Sequence, residues 1–411
     1  MSALQCRLCG APLSHTFLDL GVSPLANSYL KPEQLAQPEV FYPLHARVCD
    51  RCFLVQVDAF ELPEHIFSDY LYFSSYSQSW LRHAKDYVEM ITGRLGLGAS
   101  SQVVEIASND GYLLQYFVER GVPVLGIEPA ENVARVAREK GVATLVKFFG
   151  TQTARELVTQ GKQADLLIGN NVLAHTPLPN DFVAGLKLLL KRTGVVTMEF
   201  PHLLRLIEDN QFDTIYHEHF SYFSFLTVRE LFARHGLELF EVQQLATHGG
   251  SLRIYARHAE DRTKAVMPSV AALLAAEKSA GLSDLATYTS FSQKAYAAKF
   301  GLLSFLAHAK CEGKRVVGYG APAKGNTLLN FCGIRTDFLD YTVDVSPYKQ
   351  GTFLPGTHIP VFGPEKIAQT RPDYVLILPW NLRDEIVPQL AHVRDWGGKL
   401  VVPIPRVEVI A

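Results

Sequence analysis

The chain has 411 residues, 48% hydrophobic and 19% charged, with a net charge of −2. That length exceeds what a single hydrophobic core serves, so two or three domains are expected. There is no basic field for a nucleic-acid backbone, no apolar run of the roughly 18 residues that suggest a membrane span, and no secretory signal at the N-terminus; a cytoplasmic location is the default expectation, with neither nucleic acid nor membrane as partner.

Residues 1–68 are irregular, punctuated by Pro12, Pro24, Pro32, Pro43 and Pro63, and read as a small module held together by something other than a core. It carries two CxxC pairs, Cys6/Cys9 and Cys49/Cys52. Two intervening residues let both thiolates of a pair approach one ion, and two such knuckles complete a tetrahedral sulfur site. In a reducing compartment paired cysteines hold a metal more often than they form a disulfide. A closed four-sulfur site has no open position for a reacting water, so the zinc it predicts is structural. Unligated thiols in a turn-rich segment are the plain alternative.

Residues 70–78 are rich in aromatic and hydroxyl side chains and lead into a helix predicted over 79–95. From Gln102 the rhythm becomes strand, turn, helix: strands at 103–106, 124–127, 165–168 and 194–198, with helices at 111–119 and 132–140. Short apolar runs alternating with helical patterns predict a parallel sheet covered on both faces. Residues 208–258 leave that rhythm, helical sequence over 273–309 follows, and a second alternating region has strands at 315–320, 341–344, 374–378 and 399–403. The fold class is α/β: a metal module over 1–68, then two α/β units over 69–260 and 261–411.

In the first α/β unit Glu105-Ile106-Ala107-Ser108-Asn109-Asp110-Gly111 follows a strand and opens a helix, and the second strand ends in Glu128-Pro129. Small residues let backbone amides approach a ligand at the helix N-terminus, and an acid at the next strand end accepts ribose hydroxyls. A nicotinamide enzyme also places an acid there, but GxGxxG is absent and Glu105 precedes the turn. A carboxylate suits the amino-acid end of S-adenosylmethionine and repels a pyrophosphate. Asn170 and Asn171 end a further strand, on the rim where open α/β sheets bind ligands.

The densest group of reactive side chains runs from Asp213 to Tyr222 and includes Tyr216, His217, Glu218 and His219. His217 and His219 lack the i, i+4 spacing of helical zinc hydrolases. Tyr, Glu and His offer a donor, an orienter and a base near neutral pH, with hydrogen-bonded surface histidines as the plain reading. His175, and His248 with Gly249, are weaker candidates, each open to a structural role. In the second α/β unit Gly318-Tyr319-Gly320-Ala321-Pro322-Ala323-Lys324-Gly325-Asn326-Thr327 reads either as a diphosphate cradle or as a tight packing turn; Asp344, Lys349 and Trp380-Asn381 lie at later strand ends.

Nearly end to end, these motifs resemble the deoxysugar C-methyltransferases that act on nucleoside-diphosphate-linked 4-keto sugars. The likeness also covers Tyr70-Leu71-Tyr72-Phe73-Ser74-Ser75. The resemblance implies three domains: a zinc module, a central Rossmann-like S-adenosylmethionine domain, and a C-terminal Rossmann-like domain that helps hold the nucleotide-sugar. It implies His219 as base, supported by Tyr216 and Glu218, with Tyr70 and His175 lining the site. Cofactor contacts are expected from Tyr72, Ser75, Glu105, Ala107, Asn109, Asp110, Gly111, Glu128, Pro129, Phe148, Phe149, Asn170 and Asn171. Sugar-nucleotide contacts are expected from Tyr222, His248, Gly249, Gly320, Lys324, Asn326, Asp344 and Lys349. Lys147 stands where the family often has an acid, so the adenine contact expected there falls to Phe148. O- or N-methylation of a nucleotide-sugar, and an NAD-dependent reaction on one, are the alternatives. A monomer or weak homo-oligomer is expected.

Overall fold

The structure is a computed structural model that describes residues 4–61 and 73–410; Tyr70 and Tyr72 lie outside the described residues. Near the N-terminus β1 (His15–Ser23), β2 (Tyr42–Val48) and β3 (Val55–Val57) form an antiparallel ladder. A register shift between Thr16 and Leu18 turns the consecutive Phe17 and Leu18 inward together. This corrects the expectation of a module without a core. Phe17 stacks on Phe291 at 4.6 Å and meets Tyr288 edge-on at 6.3 Å, so the sheet buries one face against helices from the far end of the chain.

The central sheet contains β4 (Val103–Ile106), β5 (Val124–Ile127), β6 (Thr144–Leu145), β7 (Ala164–Asn170) and β8 (Leu190–Pro201). The short strand β9 (Ser221–Tyr222) does not join it; β10 (Leu237–Leu245) and β11 (Ser251–His258) do. The order is β10-β11-β8-β7-β4-β5-β6, parallel from β6 to β8, with β11 antiparallel to β8 and β10 antiparallel to β11. Burial explains the uninterrupted apolar strands: every residue of β4 is buried, because helices cover both faces. The stretch that breaks the alternating rhythm thus supplies the antiparallel edge. Along one face lies the helix Gln78–Leu95, whose first turn is capped by Ser77 accepting from the Trp80 N–H and whose end is set by Gly96 at φ 63°.

β9 instead pairs with β3, Val55 opposite Tyr222 and Gln56 opposite Ser221. The metal module and the segment that carries the reactive histidines therefore share one four-stranded sheet.

In the last unit β12 (Val316–Tyr319), β13 (Thr342–Val343), β14 (Val361–Phe362), β15 (Tyr374–Ile377), β16 (Lys399–Val402) and β17 (Glu408–Ile410) run in the order β14-β13-β12-β15-β16-β17, with only β17 antiparallel. The strand order reverses beside β4 in one sheet and beside β12 in the other, the switch points where open α/β sheets form crevices. No helix among the described residues is long and apolar enough to cross a membrane.

Candidate active site

The four cysteine sulfurs all lie within 4.8 Å of one another. Cys6 and Cys52 approach to 3.5 Å and Cys9 and Cys49 to 3.4 Å, close to the roughly 3.8 Å edge of a tetrahedron with 2.3 Å zinc–sulfur bonds. Both knuckles close alike: the Gly10 N–H donates to the Cys6 carbonyl at 2.8 Å and the Phe53 N–H to the Cys49 carbonyl at 3.0 Å. Gly10 and Phe53 both take the left-handed conformation, at φ 74° and 57°. The Gln56 amide donates to the Cys6 sulfur at 3.3 Å, as an outer partner of a ligating thiolate does. The donor set fits zinc, held by these four thiolates.

At the central switch point Ala107 (φ 56°), Asn109 (φ 48°) and Gly111 (φ 74°) are all left-handed, as are Asn171 and His248 at 55° each. Non-glycine residues seldom adopt this conformation, and it clusters at working sites. A Cβ on Gly111 would come within 3.1 Å of Val142 and 3.2 Å of Ala137, so the loop also packs too tightly for a side chain there. Glu105 is fully buried with the Tyr112 hydroxyl as its neighbouring donor, too poorly placed to satisfy its oxygens; Asp110 Oδ1 and Asn171 Oδ1 have no hydrogen bond among the described residues. Burial pushes Glu105 well above the usual carboxylate range, with the nearby Tyr112 hydroxyl offsetting part of the effect. Glu128 accepts the N–H groups of Asn109 at 2.9 Å and Ala130 at 3.0 Å. Burial still raises its carboxyl to about 7. Unsatisfied buried acceptors around a glycine turn fit a cationic, hydroxyl-bearing ligand such as S-adenosylmethionine.

Ser75 reaches this loop from the segment before the long helix. Lys140 donates to the Ser75 hydroxyl at 2.7 Å and to Asp110 at 3.2 Å, and the Ser74 N–H donates to Asn109 at 2.9 Å. Pro129 follows Glu128 at the strand end, and the Asn170 amide donates to the Tyr112 hydroxyl at 3.4 Å. Past β6, Phe148 is exposed and available for stacking, whereas Phe149 packs edge-on to Phe182 at 5.3 Å. The structure places Phe149 in the packing behind the rim.

His219 stands at the centre of the reactive cluster. Its ring lies 4.0 Å from that of Tyr216, 4.8 Å from His175 and 6.0 Å from Tyr222. Nδ1 lies 2.9 Å from the Thr214 carbonyl, which can only accept, so Nδ1 carries the proton and Nε2 keeps its lone pair. Burial, with His175, Lys324 and His248 adding to it, holds His219 well below the ordinary histidine range. Burial likewise brings His175 down to about 4. Glu218 accepts from the Asn27 amide at 2.6 Å, and the Tyr222 hydroxyl accepts from the Tyr216 N–H at 3.3 Å. His217 turns the other way, toward the Pro43 carbonyl at 3.2 Å and the Tyr42 ring. The two histidines diverge and do not form a metal pair.

Several neighbours carry no motif of their own. Glu199, buried on β8, meets both His83 (2.9 and 3.0 Å) and Arg253 (3.0 Å) and accepts from Thr247 at 3.0 Å. Burial pushes Glu199 up, but His83 and Arg253 outweigh it and leave the carboxylate lowered. A lone acid in the apolar run 195–201 is the signal that marks it. Next to this network the Asn171 amide lies 3.1 Å from His248 Nε2, and the Trp80 ring lies 5.0 Å from that of His248. Gly249 is left-handed at φ 89°; its carbonyl accepts from Gln211 at 2.7 Å, and a Cβ would come within 3.2 Å of Trp380.

The C-terminal turn is packed from within. A Cβ on Gly320 would come within 2.5 Å of Pro379. The Ala321 N–H donates to Asp344 at 2.7 Å, and Lys349 donates to the Ala321 carbonyl at 2.8 Å. The Tyr29 hydroxyl donates to the same carbonyl. Asn326 is buried and donates to the Ala26 carbonyl at 2.6 Å. Lys324 faces the central rim: it donates to Asn381 at 2.8 Å and sits 4.7 Å over the Trp380 ring. The Trp380 N–H donates to Asp213 at 2.7 Å, and burial raises Asp213 to about 6.

Three family models match consecutive parts of the chain: "Putative zinc binding domain" over residues 6–67, "Methyltransferase domain" over 80–242 and "C-methyltransferase C-terminal domain" over 246–405. The sheet order, the acid-flanked loop and the four-sulfur centre define a zinc-bearing methyltransferase. The chain is 36% identical to C-methyltransferase NovU of Streptomyces niveus, covering 99% of this chain and 97% of that protein. It therefore belongs to the deoxysugar C-methyltransferase family and is an S-adenosylmethionine-dependent C-methyltransferase. Among solved structures, magnesium protoporphyrin IX methyltransferase (ChlM) from Synechocystis PCC 6803 with bound SAM is 15% identical, covering 42% of this chain and 78% of that one at a TM-score of 0.32. The 1,6-didemethyltoxoflavin-N1-methyltransferase of Burkholderia thailandensis is 16% identical, covering 50% and 95% at a TM-score of 0.34. Neither overlap is close enough to bear on the fold or the site.

Proposed function

We propose that the protein methylates C-3 of a nucleoside-diphosphate-linked 4-keto-deoxysugar, with His219 as the base. The observation that carries this reading is the His219 tautomer: Nδ1–H is held by the Thr214 carbonyl at 2.9 Å, leaving Nε2 free to take a proton. A proton on carbon α to a ketone is a weak acid, and its removal needs a neutral base and stabilisation of the developing enolate oxygen. Burial supplies the first condition by disfavouring the imidazolium. Tyr216 and His175, whose rings flank His219, would be the donors toward the 4-oxygen; Tyr70 is the third candidate. Glu218, held by Asn27, orients the segment.

Glu105, Asn109, Asp110, Glu128 and Asn171 would hold S-adenosylmethionine, which supplies an electrophilic methyl group when bound. Lys324, facing the cleft, would meet the negative charge of the sugar-nucleotide.

His219→Asn is expected to lower turnover by about a thousandfold or more while S-adenosylmethionine still binds in calorimetric titration. In deuterated water the wild-type enzyme should exchange the C-3 proton of a 4-keto sugar-nucleotide, and product NMR should find the methyl on carbon. Turnover retained by the variant, or a methyl on oxygen or nitrogen, would sink the proposal.

A further inference from the structure

We infer that Arg7, inside the first zinc knuckle, is a positioning residue for His219; the inference rests on the reading of His219 as base. The Arg7 backbone is fixed within the metal module. Its N–H donates to Gln56 Oε1 at 3.0 Å, and the amide of the same Gln56 donates to the Cys6 sulfur at 3.3 Å. From that anchor the guanidinium donates to two carbonyls, that of Val57 at 2.6 Å and that of Phe220. It also lies 5.6 Å over the Phe220 ring.

Phe220 follows His219 directly, and its peptide groups are held from both sides. Its N–H donates to the Ala174 carbonyl at 2.8 Å, one residue before His175. Its carbonyl takes the Arg7 guanidinium together with the Val57 N–H at 3.1 Å. The spacing between His219 and His175 is thus set by one residue, Phe220, clamped through its N–H to the central rim and through its carbonyl to the metal module. The knuckle that carries Arg7 cannot slide, because Asn180 donates to the carbonyls of Arg7 at 2.8 Å and Leu8 at 3.1 Å. On the second knuckle, Thr227 donates to the Cys52 carbonyl at 3.0 Å. A planar fork with several donors can serve two carbonyls at once, whereas an ammonium is a point donor and a thioether has none. The closed sulfur site contributes no chemistry itself, but it fixes the residue that fixes the base.

The test uses the full-length enzyme and measures zinc content, S-adenosylmethionine affinity, kcat, KM, C-3 deuterium exchange and the NMR resonance of the His219 Nδ1 proton. In R7M zinc should stay at one per chain and cofactor affinity should hold. There kcat and C-3 exchange should fall together by about 10- to 100-fold, with KM changed less than about threefold, and the His219 resonance should move. R7K should recover part of the loss. R7M with wild-type turnover and zinc retained overturns the inference. So does a loss of turnover that tracks loss of zinc or of cofactor affinity in both variants, which marks a purely structural arginine. Should R7M fail to fold, R7K decides: wild-type turnover with an unmoved His219 resonance overturns the inference. Failure of the base assignment is distinguishable, because H219N would then turn over whatever Arg7 does to the resonance.

Discussion

Two strand–turn–helix crevices in this protein look alike in sequence and differ in what their polar groups do. At the central one, Glu105, Asp110 and Asn171 keep buried acceptor atoms left unsatisfied among the described residues, with Glu105 offered no more than the poorly placed Tyr112 hydroxyl. At the C-terminal one most of the corresponding groups are used internally: Asp344 takes the Ala321 N–H, Lys349 and Tyr29 donate to the Ala321 carbonyl, and the Asn326 amide nitrogen donates to the Ala26 carbonyl, leaving of this set Asn326 Oδ1 without a partner among the described residues. An unpaired buried acceptor costs free energy until a ligand pairs it, whereas a paired one has nothing left to offer. The first crevice is built to receive a ligand. The second holds the segment containing Ala26 and Tyr29 and turns one cation, Lys324, toward the cleft.

The largest expected effect tests the first half of that contrast. Glu105→Ala should weaken S-adenosylmethionine binding by about 10- to 100-fold, the worth of a charge-assisted hydrogen bond. Asp344→Ala, in the C-terminal crevice, should change that affinity by less than about twofold, because its partners, the Ala321 and Ser346 N–H groups and the Lys349 ammonium, all belong to its own unit. Titration calorimetry on both variants decides it. Equal losses would mean that the two crevices are functionally alike.

Sequence pattern reaches the central crevice better than the C-terminal one for a physical reason. Glu105, Asn109 and Glu128 stand in local strand–turn–helix sequence whose residue types suit the cofactor role proposed for them, so the crevice can be picked out from the sequence alone. The Gly320 turn has the same local signature, yet its glycine is required by Pro379, a residue far along the chain whose approach is visible only in three dimensions. Asn27, Tyr29 and His83 carry no local signal, because each acquires its meaning from a partner distant in sequence, whereas Glu199 is marked only as a lone acid in an apolar run. The N-terminal module reads as coreless for the same reason: its core lies in the helix Phe291–Cys311. The four cysteines are legible because CxxC spacing is local.

A smaller effect, on pH, sharpens the contrast. Burial holds Glu128 at about 7. If ribose hydroxyls prefer the ionised carboxylate, S-adenosylmethionine affinity should be full above about pH 7 and fall on acidification by up to about tenfold per pH unit. The sign follows from the raised value: below it the free protein holds a proton that binding must expel. Glu128→Gln should flatten the profile. Affinity that rises on acidification would remove Glu128 from the cofactor site.

The smallest effect separates the two readings of the C-terminal turn. If Asn326 cradles a diphosphate, Asn326→Ala should raise KM for the sugar-nucleotide by about tenfold or more while leaving the melting temperature alone. If its work is the 2.6 Å hydrogen bond to the Ala26 carbonyl, KM should barely move and stability should fall by about 1 kcal/mol, the net worth of one such bond. The structure favours the second outcome. Asn326 is 1% exposed, and the adjacent Thr327 hydroxyl donates to the Ile215 carbonyl at 3.2 Å, just ahead of Tyr216. Both residues lie in the helix Ala323–Cys332, whose start is a seam joining the metal module and the reactive segment to the C-terminal sheet, and a seam answers to heat before it answers to substrate.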